Sequence, residues 1–145
     1  MKNVVIAILL TSLFLVGCTK EGNKKDDSFS MCSNSVSPNQ EAYFSDIGED
    51  FTISEIQIEG DCLTGVINFT GSCSTDITLN LIDSEAILES LPLQRNIKLV
   101  LDYDNSCDTE ITRSFSFNLT PIRVDDENLL ELNILGLDNT LYYEY

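Results

Sequence analysis

Ile111-Thr112-Arg113-Ser114-Phe115-Ser116-Phe117-Asn118-Leu119 alternates apolar and polar side chains, with Arg113 alone out of phase. A period of two is the signature of a β-strand with one face in a core and one in water. A helix would throw Phe117 about 200° away from Phe115 and spoil any common apolar face. Ile111, Phe115, Phe117 and Leu119 therefore face inward, and Thr112, Ser114, Ser116 and Asn118 face out.

Working outward, the same pattern recurs in short runs separated by turn residues. Phe51 to Glu59 is a strand whose parity slips between Ile53 and Ile56, which predicts a bulge. Gly60-Asp61 turns the chain into Cys62 to Thr70, with Leu63, Ile67 and Phe69 on one face, and Gly71-Ser72 turns it again. Thr75 to Ile82, Ile97 to Tyr103, Leu129 to Leu135 and Thr140 to Tyr145 complete the set, the last two joined through Gly136-Leu137-Asp138-Asn139. Asp83 to Leu91 breaks the rhythm: Ser84 can cap, Ala86, Ile87, Leu88 and Leu91 form an apolar side, and Pro92 stops the run, so one short helix is predicted there. Ser28 to Asp50 reads as irregular, with Tyr43 and Phe44 as its points of contact with the core. Seven strands, one short helix and no β-α-β alternation predict an all-β, two-sheet antiparallel sandwich, immunoglobulin-like in arrangement, with a small barrel as the alternative. The tryptophan usual in antibody-type domains is absent.

The charge is one-sided. Beyond Ser28 there are four cations, Arg95, Lys98, Arg113 and Arg123, against 21 carboxylates, a formal balance of −17. Such a surface repels phosphate backbones and anionic head groups, which excludes nucleic-acid binding and keeps the domain off a bilayer surface.

At the other end of the chain, Lys2 precedes an apolar run from Val4 to Val16 broken only by Thr11 and Ser12. This has the three parts of a secretory signal and falls short of the ~20 residues a helix needs to span a hydrocarbon core. It closes on Leu15-Val16-Gly17-Cys18, the form of a bacterial lipobox: aliphatic, aliphatic, small, then cysteine. Thr19 to Asp27 holds no apolar side chain and reads as a flexible tether. The chain thus divides into a lipoprotein signal peptide (1–17), a tether (18–30) and a β-sandwich domain (31–145). Likeness to bacterial lipoproteins implies a diacylglyceryl thioether and an amide-linked acyl chain on Cys18. With each buried methylene contributing about 0.8 kcal/mol, more than one chain makes a stable anchor. The expected location is the outer membrane, on its periplasmic face or at the cell surface.

With Cys18 assigned to lipid, Cys32, Cys62, Cys73 and Cys107 form an even set in an oxidising compartment, which favours two disulfides. Cys62 and Cys73 flank one strand, roughly 25 Å apart, and cannot pair. Alternating strands put Cys73 and Cys107 at one end of the sandwich and leave Cys62 for Cys32, so the predicted bonds are Cys73–Cys107 and Cys32–Cys62. No histidine and no C-x2-C spacing is present, which argues against zinc.

Gly60-Asp61-Cys62-Leu63, Phe69-Thr70-Gly71-Ser72-Cys73, Leu99-Val100 with Asp104-Asn105-Ser106-Cys107, and Phe115-Ser116-Phe117-Asn118-Leu119-Thr120-Pro121-Ile122-Arg123 resemble small bacteroidete-type lipoproteins of uncharacterised function. The resemblance covers more than half of the chain. It implies the lipoprotein and sandwich assignments and brings no activity with it.

Chemistry is sparse. There is no nucleophile elbow, no phosphate-cradling loop, no dinucleotide-binding glycine pattern and no histidine to act as general base. Asp102, Asp104, Asp108 and Glu110 space oxygen ligands as calcium prefers, but the turn glycine of an EF-hand is missing and Arg113 stands at its glutamate position, so the ordinary reading is a solvated acidic loop. Tyr142 is expected to face outward from the last strand while Leu141, Tyr143 and Tyr145 face the core. No enzyme and no cofactor is expected. The reading is a non-enzymatic protein-binding or assembly module, tied to the membrane through lipid on Cys18, with an envelope protein as partner. The alternative is an accessory glycan-binding lipoprotein in polysaccharide capture. A flat cluster of exposed aromatics would favour glycan, and exposed apolar strand residues a protein.

Overall fold

The computed structural model describes residues 32–71, 76–103 and 107–145. In chain order its strands are β1 (Asn34–Ser35), β2 (Ser37–Pro38), β3 (Thr52–Glu59), β4 (Cys62–Thr70), β5 (Ile77–Leu88), β6 (Leu93–Tyr103), β7 (Glu110–Asn118), β8 (Leu129–Ile134) and β9 (Leu141–Glu144). A helix, α1 (Gln40–Ser45), lies between β2 and β3, and a 3-10 turn, Thr120–Ile122, follows β7. One sheet has the order β1-β7-β4-β3 and the other β2-β5-β6-β8-β9. The two make an all-β sandwich.

The core is what the alternation predicts. Leu63, Ile67 and Phe69 of β4 and Phe115 and Phe117 of β7 meet Leu81 of β5, Ile97, Leu99 and Leu101 of β6, Leu130, Leu132 and Ile134 of β8 and Tyr143 of β9. At ~25 cal/mol per Å2 of apolar surface removed from water, each such side chain contributes on the order of 1.5–3 kcal/mol. The predicted bulge is present: the β3–β4 register shifts between Ile53 and Glu55. Gly65, opposite Phe115 on β7, explains the local geometry. A Cβ at Gly65 would lie 2.5 Å from the Glu55 carbonyl oxygen and 2.5 Å from Phe115 Cζ. Only a residue without a side chain lets the ring lie across the strand beneath the bulge.

Three expectations are corrected. First, the sheets are mixed rather than antiparallel: β1 runs parallel to β7, β2 to β5 and β6 to β8. The chain goes out along β6, back along β7 in the opposite sheet and out again beside β6, so β8 arrives in the same direction. A parallel β6–β8 pair departs from the all-antiparallel pairing of an immunoglobulin sandwich. Second, the apolar run Ala86, Ile87, Leu88 and Leu91 is not on a helix. β5 continues to Leu88 and pairs Ile87 with Arg95 and Leu88 with Gln94, after a register shift that follows Asp83. Third, the segment read as irregular holds the helix α1, capped by Asn39, whose side chain accepts from the Ala42 N–H at 2.9 Å. It also holds both short N-terminal strands, and its expected core contacts do not form: Phe44 is 74% exposed, and neither it nor Tyr43 packs into the hydrophobic core.

Candidate functional site

The end of the β5–β6 hairpin forms an arm along the edge of its sheet: β5 from Ser84 to Leu88 is the outer strand, while β6 beside it still pairs with β8 from Leu93 to Ile97. On both strands the odd positions face inward, and this parity carries Asp83 and Arg95 onto the core face. There Arg95 Nη1 donates to Asp83 Oδ2 at 2.8 Å, with the carboxylate fully buried. The same oxygen accepts from the Glu85 N–H at 3.0 Å. Among the described residues Asp83 Oδ1 and Arg95 Nε have no hydrogen-bond partner, although both are buried. Burial pushes the Asp83 carboxyl above its ordinary range, against the opposing pull of Arg95. Backbone turns through this point: Glu85 adopts φ 60 and the Ser84 hydroxyl accepts from the Ala86 N–H at 3.4 Å.

Two further bonds fix the arm's base from outside. The Asn39 N–H donates to the Asp83 carbonyl at 3.0 Å, and the Gln40 N–H, at the start of α1, donates to the Glu85 carboxylate at 3.0 Å. At the other end of α1, Lys98 Nζ donates to the carbonyls of Tyr43 and Asp46 and lies 5.3 Å from the Tyr43 ring. A cation is favoured there because the last carbonyls of a helix are unpaired and negative.

Beyond this anchored base the arm presents aliphatic side chains to water. Ile87 is 42% exposed, Leu88 43% and Leu91 100%. Three large apolar side chains thus stand in water on one hairpin, where side chains of this size are usually covered. The exposed aromatics among the described residues, Phe44 and Tyr142, do not form a cluster. Phe44 is on α1 against β5, and Tyr142 is on the edge strand β9, three places further along the same sheet. Tyr142 faces out and Tyr143 is buried, as the alternation requires.

The remaining sequence-predicted residues fall as follows. Cys32 and Cys62 are joined, with Cα atoms 5.6 Å apart. Cys107 is disulfide-bonded, and its expected partner Cys73 lies outside the described residues, as does Cys18. Asp104 also lies outside them. Asp102 is on β6, opposite Thr78, whereas Glu110 begins β7 in the other sheet, opposite Thr70. Asp108 is exposed in the connection between them. The structure thus sends the two ends of this acidic run to different sheets. Among the described residues no group of three or more His, Cys, Asp or Glu side chains is placed to hold a metal ion.

A second polar cluster ties the C-terminus down. Arg123 Nε donates to the Tyr143 hydroxyl at 2.9 Å, that hydroxyl donates to Asp61 Oδ1 at 2.7 Å, and Arg123 also pairs with Asp61. Burial, and then the hydrogen bond to Asp61, push the Tyr143 phenol up to about 12. Because this folded value exceeds the ordinary 10, the stability it contributes is complete below pH 10 and is lost as pH rises from 10 to 12. That loss amounts to about 2–3 kcal/mol. Chemical denaturation across this range should show it, and Tyr143→Phe should abolish the Tyr143 part of the dependence; an unchanged alkaline profile in the variant would sink the assignment.

The Asp83–Arg95 pair and the exposed arm were not singled out by sequence reasoning, although a signal was available. Continuing the parity of Leu79 and Leu81 to Asp83, and of Ile97 back to Arg95, places two opposite charges on the core face.

No known family model matches the chain, and no curated protein matches it. Among solved structures it is similar to a protein of unknown function, DUF1344, from Bacteroides vulgatus, with TM-score 0.52 and 16% identity over 77% of this chain. It is also similar to a protein from Parabacteroides distasonis described as toxin-related, with TM-score 0.51 and 19% identity over 77% of this chain. The chain spans 57% and 58% of the length of those two chains. At these identities the likeness shows the fold alone: a sandwich shared with bacteroidete proteins.

Proposed function

We propose that this chain is a non-enzymatic protein-binding or assembly module of the bacterial cell envelope, held to the outer membrane by lipid on Cys18. The observation that carries the reading is the β5–β6 arm, with Ile87, Leu88 and Leu91 exposed above a base fixed by Asp83, Arg95 and α1. Aliphatic groups on a rigid support lose little freedom on docking and gain by leaving water. The lipobox Leu15-Val16-Gly17-Cys18 supports the anchored location.

The test is crosslinking in native membranes followed by recovery of adducts. Ile87→Glu with Leu91→Glu should abolish the adducts, because exposed apolar anchors of this kind each carry on the order of 1–2 kcal/mol of binding. The melting temperature should stay within a degree or two, since neither side chain is in the core. Adducts that survive both substitutions would exclude the arm. In parallel, Cys18→Ala should lose acyl labelling and move the protein from the membrane fraction to the soluble fraction.

A further inference from the structure

The two N-terminal strands seal only part of one side of the sandwich. β1 covers Phe117 and Asn118 of β7, and β2 covers Ile82 and Asp83 of β5. Above them, among the described residues, the edges of β5 from Ile77 to Leu81 and of β7 from Glu110 to Ser116 have no neighbouring strand. Between these edges runs a groove of about 320 Å3, lined by Ile67, Ile77, Leu79 and Phe115 and bordered by Asn34 and Arg113.

The backbone on the β5 side is arranged for pairing. The Asp83 carbonyl accepts from the Asn39 N–H, so it faces the N-terminal strand. Backbone groups of a strand alternate in direction, so those of Ile77, Leu79 and Leu81 face the same open edge. Their side chains point to the core, and Ile77 and Leu79 line the groove. An exposed edge of this kind is a template for an added strand.

The chain's own path turns away from the slot. β1 runs along β7, and continuing it upstream would fill the opening. Instead Cys32 is bonded to Cys62 on β4, which lies on the far side of β7. A second copy is disfavoured by charge, since each domain carries 21 carboxylates against four cations beyond Ser28. Arg95 and Arg123 are themselves paired with Asp83 and Asp61.

We infer that the free edge of β5 accepts an extended segment of a partner protein, its alternate side chains apolar and those between them basic. The apolar set drops into the groove over Leu79 and Phe115, while the basic set lies on the outward face beside Thr78 and Asn80, with the exposed Asp102 one strand further in and a domain of strongly negative charge around it. This surface is distinct from the β5–β6 arm and uses none of its exposed residues.

The test uses the full chain in detergent and three synthetic nine-residue peptides: alternating valine and lysine, alternating valine and glutamate, and the lysine peptide N-methylated on one edge. Amide hydrogen exchange should slow at least ten-fold at Ile77, Leu79 and Leu81 with the lysine peptide. The glutamate and N-methylated peptides should give at least ten-fold weaker binding. Equal binding of the N-methylated peptide, protection elsewhere, or no protection would overturn the inference. So would slow exchange at these three amides in the chain alone, which would place its own N-terminal segment or a second copy in the slot. Ile87→Glu with Leu91→Glu should leave the peptide result unchanged, so failure of the arm and failure of the slot are read separately.

Discussion

Asp83→Ala is expected to destabilise the fold by about 3–5 kcal/mol, the cost of leaving a buried charge without its partner. The carboxylate is fully buried, and the Arg95 side chain is only 11% exposed. Removing Asp83 strands a guanidinium whose Nε is already unpaired. It also removes the acceptor of the Glu85 N–H, which holds the turn at the arm's base. Replacing both partners with apolar groups, Asp83→Leu with Arg95→Met, should recover most of the loss, because neither desolvation penalty then remains. The pH dependence adds a signature. The folded Asp83 carboxyl lies above its unfolded value, so the stability it contributes is present in full below about pH 4 and is lost as pH rises through the folded value. The stability difference should therefore move in favour of the wild type over the double variant as pH falls from 7 towards 4. Urea denaturation of the three proteins measures this; equal stabilities for the single and double variants would defeat the account.

Replacing Cys32 and Cys62 together by serine is expected to cost about 3–4 kcal/mol, from loop-closure entropy for a bond spanning 30 residues. The bond matters locally because the N-terminal strands are very short. β1 and β2 have two residues each, and Val36 between them is buried and donates its N–H to the Asn118 carbonyl. Two-residue ladders do not hold a chain segment by themselves. Once the bond is gone, residues 32–38 should exchange their amides early, with α1 following because its first N–H is fixed to Glu85. The denaturation midpoint should fall with little change in slope. A cost below about 1 kcal/mol would show that β1, Val36 and β2 are held without the cross-link.

Strand positions were legible in the sequence wherever neighbours alternate. Cys62–Thr70 is a strand over the expected residues, and the bulge after Ile53 shows as a broken parity. Both follow from side chains at i and i+2 sharing a face, a property of the chain itself. Asp83 to Leu91 was misread because Ser84 and the apolar residues behind it satisfy helix rules locally, while the opposite strand, Leu93 to Ile97, supplies hydrogen bonds that those rules cannot see. The helix Gln40–Ser45 was missed for the converse reason. Six residues are too few to stand alone, and its stability comes from Asn39, Glu85 and Lys98 around it.

By itself the sequence determined which strand residues line the core, the outward Tyr142 and the heavily acidic surface, because each is set by residue type and local spacing, while the pairing of Cys32 with Cys62 followed from the expected placement of strand ends. Tertiary structure alone decided that β8 lies parallel to β6, that Asp83 meets Arg95, that Ile87, Leu88 and Leu91 stand in water, and that the upper edge of β5 is left open. These depend on which strands become neighbours. That choice is made by how two sheets share one chain, through contacts between residues far apart along it.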